Sequence, residues 1–290
     1  MMKMIVLDFN SMTKINNMFE TVSFHVVKPC NMGCKFCYAT FEDFNVVNQL
    51  NYDDACTILY KLHRAGVEKV TFAGGEPMLW KHLQDAIVFA KGLGMTTSII
   101  TNGAMIKEQW LIDMQKHLDW IGLSVDSINY NTNKQIGRVH KGMPLDYYML
   151  VSIIHKYNYK LKINTVVNAY NQYENLNHFI NFANPLRWKV FQALRIEGQN
   201  DAQWDEVKVT DISFELYLKA HRNQKSLVPE DNEAMTGSYL LVDPLGRFFE
   251  NSKGTHTYSD PVQNNTVEHC LSQINLDREM FVKRGGLYEW

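Results

Sequence analysis

Hydrophobic positions along the chain change period again and again. Short runs rich in β-branched and aromatic residues lie at 23–27, 69–73, 96–101, 120–126, 160–167 and 187–194. Between them, at 53–64, 81–93, 107–117, 145–157 and 174–183, apolar residues recur with the spacing of one helix face. Gly66 and Gly94 stand where the first two helical stretches should stop. Strands alternating with helices predict a parallel sheet, and right-handed crossovers restrict it to a wound sheet or a barrel. The fold class expected is α/β, a partial (β/α)6 TIM-like barrel over residues 1–195. From 196 to 290 the alternation fails. That stretch predicts a helix near 213–223, a hairpin of 238–242 with 247–250 around the turn D-P-L-G, and short helices near 266–274 and 278–282. It reads as a C-terminal extension closing the open side of the barrel within one structural domain.

Composition narrows the picture. The chain has 290 residues, 46% hydrophobic and 21% charged, enough to bury a sizeable core. A formal net charge of -2 gives no global field for nucleic acid or an anionic membrane, so any phosphate site must come from locally clustered cations. No apolar run reaches the length of a membrane span. Residues 1–10 lack the long apolar stretch and cleavage site of a signal peptide, which predicts a cytoplasmic protein. The five cysteines, an odd number, argue against a disulfide framework.

Three of those cysteines change the picture most. Cys30, Cys34 and Cys37 lie in K-P-C-N-M-G-C-K-F-C-Y, directly after the first strand. In parallel α/β folds that carboxyl end carries the site. Structural zinc, with His25 or a distant residue as fourth ligand, is one reading, although zinc ribbons come as paired C-x2-C units. Core thiols are another. Three thiolates can also hold three irons of a cubane cluster and leave the fourth iron open. Cys56 and Cys270 stand alone and read as small buried hydrophobes.

Other strand ends carry candidate chemistry. The second ends in V-T-F-A-G-G-E-P-M, where Gly74 and Gly75 let a backbone approach a ligand and Glu76 can accept from an ammonium group. Asn102 in T-N-G and Ser124 in L-S-V-D are polar residues at strand ends, ordinary in loops when taken singly. Arg138 in I-G-R-V-H suits a carboxylate, or is a solvated loop cation. Strand five, K-L-K-I-N-T-V-V, places Lys160, Lys162 and Asn164 on one face, and strand six, R-W-K-V-F, does the same with Arg187 and Lys189. The other face packs on helices, so these cations point into the lumen and need a counter-anion. Neither run holds an Asp or Glu, which favours a polyanionic ligand such as a triphosphate over lumenal carboxylates, with Lys69 as a further member.

The C-x3-C-x2-C spacing with Phe36 before the last cysteine, followed one βα unit later by G-G-E-P, resembles the signature of radical S-adenosylmethionine (SAM) enzymes. The segments A-G-V-E-K-V-T-F-A-G-G-E-P, N-P-L-R-W-K-V-F-Q, I-E-G-Q-N, L-V-P-E, S-Y-L-L-V-D and M-F-V-K-R-G-G-L-Y-E-W extend a resemblance to the viperin family along nearly the whole chain. The resemblance implies a [4Fe–4S] cluster on Cys30, Cys34 and Cys37, and SAM held by Gly74, Gly75, Glu76, Asn102, Ser124 and Arg138. It implies a nucleoside triphosphate, CTP, UTP or GTP, on Lys69, Lys162, Asn164, Arg187 and Lys189, with Lys283 and Arg284 of K-R-G-G closing over the phosphates. A 5′-deoxyadenosyl radical then removes the 4′-hydrogen and the 3′-hydroxyl leaves as water. One electron and one proton complete a chain-terminating, antiviral 3′-deoxy-3′,4′-didehydro nucleotide. Tyr239 matches the tyrosine that quenches the product radical, and a reductant such as flavodoxin or ferredoxin is implied. The N-terminal amphipathic anchor of animal members is absent, so no membrane anchor is expected. Two departures, Ala73 in place of a serine and Lys28 in place of an arginine, leave the base open. The competing expectations are a radical SAM enzyme acting on a peptide or another anionic substrate, and a non-enzymatic interaction protein. Peptide maturases carry auxiliary cysteine clusters that this sequence does not show.

Overall fold

The computed structural model describes residues 19–42 and 50–289. The first ten residues, read above for a signal peptide, lie outside them, as does Trp290. The first half is β1 (Thr21–His25), α1 (Tyr52–Ala65), β2 (Lys69–Ala73), α2 (Leu83–Gly92), β3 (Thr96–Thr101), α3 (Glu108–Met114), β4 (Trp120–Ser124), α4 (Tyr130–Ile136), α5 (Tyr147–Lys156), β5 (Lys160–Val167), α6 (Asn177–Ala183) and β6 (Arg187–Gln192). The second is α7 (Trp204–Val207), α8 (Asp211–His221), β7 (Leu227–Glu230), α9 (Asn232–Met235), β8 (Leu241–Val242), β9 (Arg247–Glu250), β10 (Thr257–Pro261), α10 (Val267–Leu271) and α11 (Arg278–Lys283).

Local chemistry sets these boundaries. Asn51 caps α1 by accepting from the Asp54 N–H, and Gly66, at φ 112°, ends it in the left-handed conformation. Its apolar stripe, Ala55, Ile58, Leu59, Leu62 and Ala65, is buried. The helix α4 was not expected: Y-N-T-N-K-Q-I has no apolar stripe, and its start is fixed instead by Asn129, which accepts from the Asn131 and Thr132 N–H groups.

Strands β1 to β6 pair in parallel in sequence order. The C-terminal segment does more than cover the opening, because it lengthens the sheet at both edges. Strand β7 adds in parallel to β6, while β8 adds in parallel to β1 and carries β9 and β10 antiparallel beyond it. The result is one ten-stranded, unclosed sheet in the order β10-β9-β8-β1-β2-β3-β4-β5-β6-β7. The two marginal strands, β7 and β10, each contain a proline, Pro229 and Pro261, which lacks an N–H and is tolerated at an edge. Alternate residues face the helices: Phe24 and Phe72 are register partners, as are Ile163 and Trp188, and all four are fully buried. The Trp188 indole N–H donates to Thr165 Oγ1 at 2.9 Å. The other face lines the lumen.

His25, at the end of β1, is buried with both ring nitrogens unpartnered, edge-on to Tyr38, Phe41 and Phe249. Burial, with His256 nearby, lowers its pKa to about 3. The ring is therefore neutral in the folded protein. Below the ordinary histidine value the unfolded chain binds the extra proton, so stability falls with pH from about 6.5 towards about 3. His25→Phe should remove that slope, about 1.4 kcal/mol per pH unit, at little cost at pH 7, as read by urea midpoints at pH 7 and 5. A slope unchanged by the substitution would show that other groups carry it.

Candidate functional site

Two backbone segments meet at the carboxyl ends of β1 and β2. Val26 N donates to Ala73 O at 2.9 Å, Gly75 N to Val27 O at 2.7 Å and Glu76 N to Pro29 O at 2.9 Å. A Cβ on Gly75 would lie 2.2 Å from the carbonyl oxygens of both Lys28 and Pro29, and one on Gly74, at φ 148°, 2.5 Å from Val27 O. At both glycines the chain's own cysteine loop makes the close approach. On the other side of that loop, Gly33 N donates to Gly137 O at 3.1 Å and Lys35 N to Ile136 O at 2.9 Å. Gly137, at φ 90°, leaves no room for a Cβ, which would sit 2.1 Å from Gly33 O. The loop is thus clamped between the G-G-E-P turn and the end of α4.

Polar side chains complete the clamp. Glu76 is buried and accepts from Thr101 Oγ1 at 2.7 Å, Asn102 N at 2.9 Å and Met78 N at 3.1 Å. A carboxylate has about four acceptor positions, so Glu76 keeps one for an ammonium donor. Burial raises its pKa, opposed by these hydrogen bonds. Asn102 Nδ2 donates to Asn31 Oδ1 at 2.7 Å, tying strand three to the cysteine loop. Arg138, read as a partner for a ligand carboxylate, is buried and pairs through Nε with Asp126, with its guanidinium 5.7 Å from the Phe36 ring. Burial opposes the Arg138 charge, but Asp126, Cys34 and Tyr147 together outweigh it and hold the group protonated. Ser124 is half-buried at the end of β4.

All three loop cysteines are free thiols, Cys30 exposed and the others half-buried. Burial pushes Cys34 up to about 12; Arg138 opposes the shift and Asp126, Cys37 and Cys30 add to it. Among the described residues no three His, Cys, Asp or Glu side chains close on a single ion. A cubane gives each thiolate its own iron and needs no such convergence. His25, the alternative zinc ligand, is packed among aromatic rings, so the donor set is three thiolates, which fits a cluster with an open iron. Of the lone cysteines, Cys270 is buried as expected, while Cys56 is only half-buried.

The lumenal cations do gather. Lys69, Lys162, Arg187, Lys189 and Arg284 line one cavity of about 50 Å³. Lys69 donates to Tyr288 Oη at 2.5 Å and lies 4.6 Å from the Trp120 ring, and Arg187 stacks 3.9 Å from the Tyr288 ring. Arg187 Nη2 donates to Gly285 O at 3.0 Å. Gly122 leaves space for Lys162, since an added Cβ would lie 3.2 Å from its Cε. Crowding of buried cations lowers their pKa values: Lys69 to about 6 by burial and then Lys162 and Arg187, Lys162 to about 8 by burial and Arg187. Lys189 falls to about 7 by burial, with Glu230 opposing. Buried Asn164 Oδ1 has no hydrogen-bond partner.

The lumen holds two features that the sequence did not separate. A carboxylate does enter the lumen: Glu230, fully buried, pairs with Lys189 and with Arg284 at 3.5 Å. It comes from β7, a strand hidden by Pro229 in L-V-P-E. Lys283 is exposed on α11 and absent from the cavity lining, whereas Arg284, Gly285 and Gly286 line it. Tyr288, which also lines it, carried no signal beyond its place in the C-terminal match. Tyr239 Oη donates to Glu230 and accepts from Lys189 at 2.5 Å, and the Arg284 guanidinium lies 3.5 Å from its ring. An open groove of about 610 Å³, lined by residues of α1 and α10, shares no residue with either motif.

The chain is similar to several known proteins. The description "Radical SAM superfamily" matches residues 26–183, more than half of the chain. SuiB of Streptococcus suis bound to S-adenosylmethionine superposes with TM-score 0.66 at 16% identity, over 92% of this chain and 68% of that one. anSMEcpe with bound AdoMet gives 0.65 at 14%, over 90% and 83%. These two likenesses concern the fold alone. The chain belongs to the radical SAM superfamily, whose members use a [4Fe–4S] cluster and SAM. An "S-adenosylmethionine-dependent nucleotide dehydratase" of Flammeovirga pacifica is 41% identical over 97% of this chain and 99% of its own length. One of Lacinutrix mariniflava is 45% identical over 97% of this chain, which spans 60% of that relative. The relative of Oncorhynchus mykiss with the suffix RSAD2 is 33% identical over 93% and 80%. Within the superfamily the chain belongs to the viperin family of nucleotide dehydratases.

Gly75→Ala tests the clamp. With backbone oxygens 2.2 Å from the new Cβ, the cysteine loop must shift. Overpacking of this kind costs about 1–3 kcal/mol. The variant should melt lower and, after anaerobic reconstitution, hold less than half the iron of the parent. Full iron content at an unchanged melting temperature would refute the clamp.

Proposed function

We propose that the protein converts a ribonucleoside triphosphate to its 3′-deoxy-3′,4′-didehydro analogue, an antiviral chain terminator, by 4′-hydrogen removal and loss of the 3′-hydroxyl. The observation that carries this reading is the five-cation cavity lined by the same parallel strands whose carboxyl ends clamp the cysteine loop. Bound at Cys30, Cys34 and Cys37, a cluster with one open iron supplies the electron that turns SAM into the hydrogen-abstracting radical.

The chain's own residues do the rest. Glu76, with its remaining acceptor position, and Asn102 hold the amine and polar groups of SAM beside the loop. Lys69, Lys162, Arg187, Lys189 and Arg284 bind the nucleotide, and Asn164 Oδ1 is a free acceptor for a sugar or base donor. Tyr239, at the wall of the same cavity, supplies the last hydrogen equivalent. The reductant is a small one-electron donor such as flavodoxin or ferredoxin. CTP, UTP and GTP are the candidate substrates. No helix among the described residues is long and apolar enough to cross a membrane, and a cytoplasmic site of action is proposed with the rest.

The test is anaerobic. Reconstituted protein with dithionite and SAM should release 5′-deoxyadenosine several-fold faster with one or two of CTP, UTP, GTP and ATP than without. Equal, low release in every tube would refute the nucleotide reading and favour another anionic substrate. A second outcome follows from the lysine pKa values. Lys69, Lys189 and Lys162 lose protons at about 6, 7 and 8 in the free protein, and a polyphosphate restores them. Nucleotide binding should therefore take up protons and weaken from pH 6.5 to 8.5, measurable by calorimetry in buffers of different ionisation enthalpy. Binding without proton uptake would place the phosphates elsewhere.

A further inference from the structure

Glu230 pairs with two of the cavity's cations, and the phosphate-binding reading does not use it. A carboxylate there weakens a site for anions, yet the fold goes to some length to supply it. Glu230 ends β7 at one margin of the sheet, while Tyr239 precedes β8 near the other, beside β1. Their hydrogen bond spans the unclosed side of the barrel. Lys189 Nζ touches both, as an ion-pair partner of Glu230 and as a donor to Tyr239 Oη at 2.5 Å. Arg284 closes the group, 3.5 Å from Glu230 and 3.5 Å from the Tyr239 ring.

We propose that Glu230 positions Tyr239 and Lys189 so that the electron and the proton that complete the reaction leave from different atoms. The proposal rests on the dehydration reading above. Lys189 Nζ gives a proton to the departing 3′-hydroxyl as the C3′–O bond breaks, releasing water. The C3′–C4′ unit is then one electron short of a double bond. Tyr239 supplies that electron, its O–H proton passes to Glu230, and Glu230 returns it to Lys189. The sum is one electron and one proton from the phenol, leaving a tyrosyl radical. The one-electron reductant that serves the cluster, with a proton from water, restores it.

Electrostatics require the acceptor. A phenol that loses an electron but keeps its proton is a cation, here buried beside Lys189 and under Arg284, and unpaired buried cations cost several kcal/mol. Tyr239 Oη meets two polar groups in the structure, Lys189 as donor and Glu230 as acceptor, so the proton has one place to go. Burial favours protonation of Glu230, but Lys189 and Arg284 overcome it and hold the carboxyl below its ordinary value, ready to accept.

The experiment uses the reconstituted holoenzyme and the substrate found with the nucleotide panel. Glu230→Gln should bind nucleotide no more weakly than the parent in the cluster-free protein, since it removes an anion from an anion site. It should keep nucleotide-stimulated 5′-deoxyadenosine release. Didehydro product per 5′-deoxyadenosine should fall at least about tenfold, the low side of a lost proton-transfer group. The tyrosyl signal of freeze-quenched parent samples, assigned with ring-deuterated tyrosine, should vanish. Glu230→Asp, which keeps a carboxylate, should recover part of the yield. In a Tyr239→Phe background Glu230→Gln should change the product ratio no further. An unchanged product ratio in Glu230→Gln, or loss of yield that tracks loss of nucleotide binding, would overturn the proposal in favour of a plain counter-ion. If the glutamine variant does not fold, the aspartate variant and the Tyr239→Phe background decide by the same readings. Failure of the parent to respond to any nucleotide would instead strike the dehydration reading, and is seen before any variant is made.

Discussion

Burying several cations of one sign in one place is the constraint around which the lumen is arranged. Each lysine there would be happier in water, and each makes its neighbour's charge costlier. The chain answers in three ways. Aromatic faces of Trp120, Tyr288 and Tyr239 lie against Lys69, Arg187 and Arg284. Backbone carbonyls of Ser238 and Gly285 accept from Arg284 and Arg187. A buried carboxylate, Glu230, is shared between Lys189 and Arg284. What these partners leave is an excess of positive charge, and burial with crowding lowers the lysine pKa values.

The second constraint is steric and sits at the other end of the same strands. The cysteine loop is positioned by backbone contacts on both sides, with Gly75 and Gly137 at the points of closest approach. Side chains then lock the arrangement: Glu76 to strand three, Asn102 to Asn31, and Arg138 to Asp126. A rigid loop matters because three thiolates must be presented in a fixed array to separate irons. The cation cavity and the cysteine loop therefore share one scaffold, the parallel strands β1 to β6.

How much of this was legible follows from how local each signal is. The strand and helix alternation was readable because each unit carries its own period and its own stop, and the expected runs differ from the observed elements by a few end residues. The cysteine run, G-G-E-P and the cations on strands five and six were readable because residue type and spacing define them. What failed was long-range or weakly patterned. Strand β7 contains Pro229, which argues against a strand unless one knows it lies at an edge. With β7 hidden, Glu230 was hidden too, and the lumen looked free of carboxylates. Helix α4 has caps but no apolar face. That Arg138 meets Asp126, twelve residues earlier, could not be read until the fold was known. For the same reason Lys283 and Arg284, adjacent in sequence, could not be told apart.

The prolines at the two margins have a wider consequence. An unclosed sheet ends in rows of unsatisfied backbone groups, which another chain can use as a template. Here both outermost strands are short, and each interrupts its donor row with a residue that has none to offer. A barrel left open to receive a large, charged molecule thereby avoids becoming a seed for fibrous self-assembly.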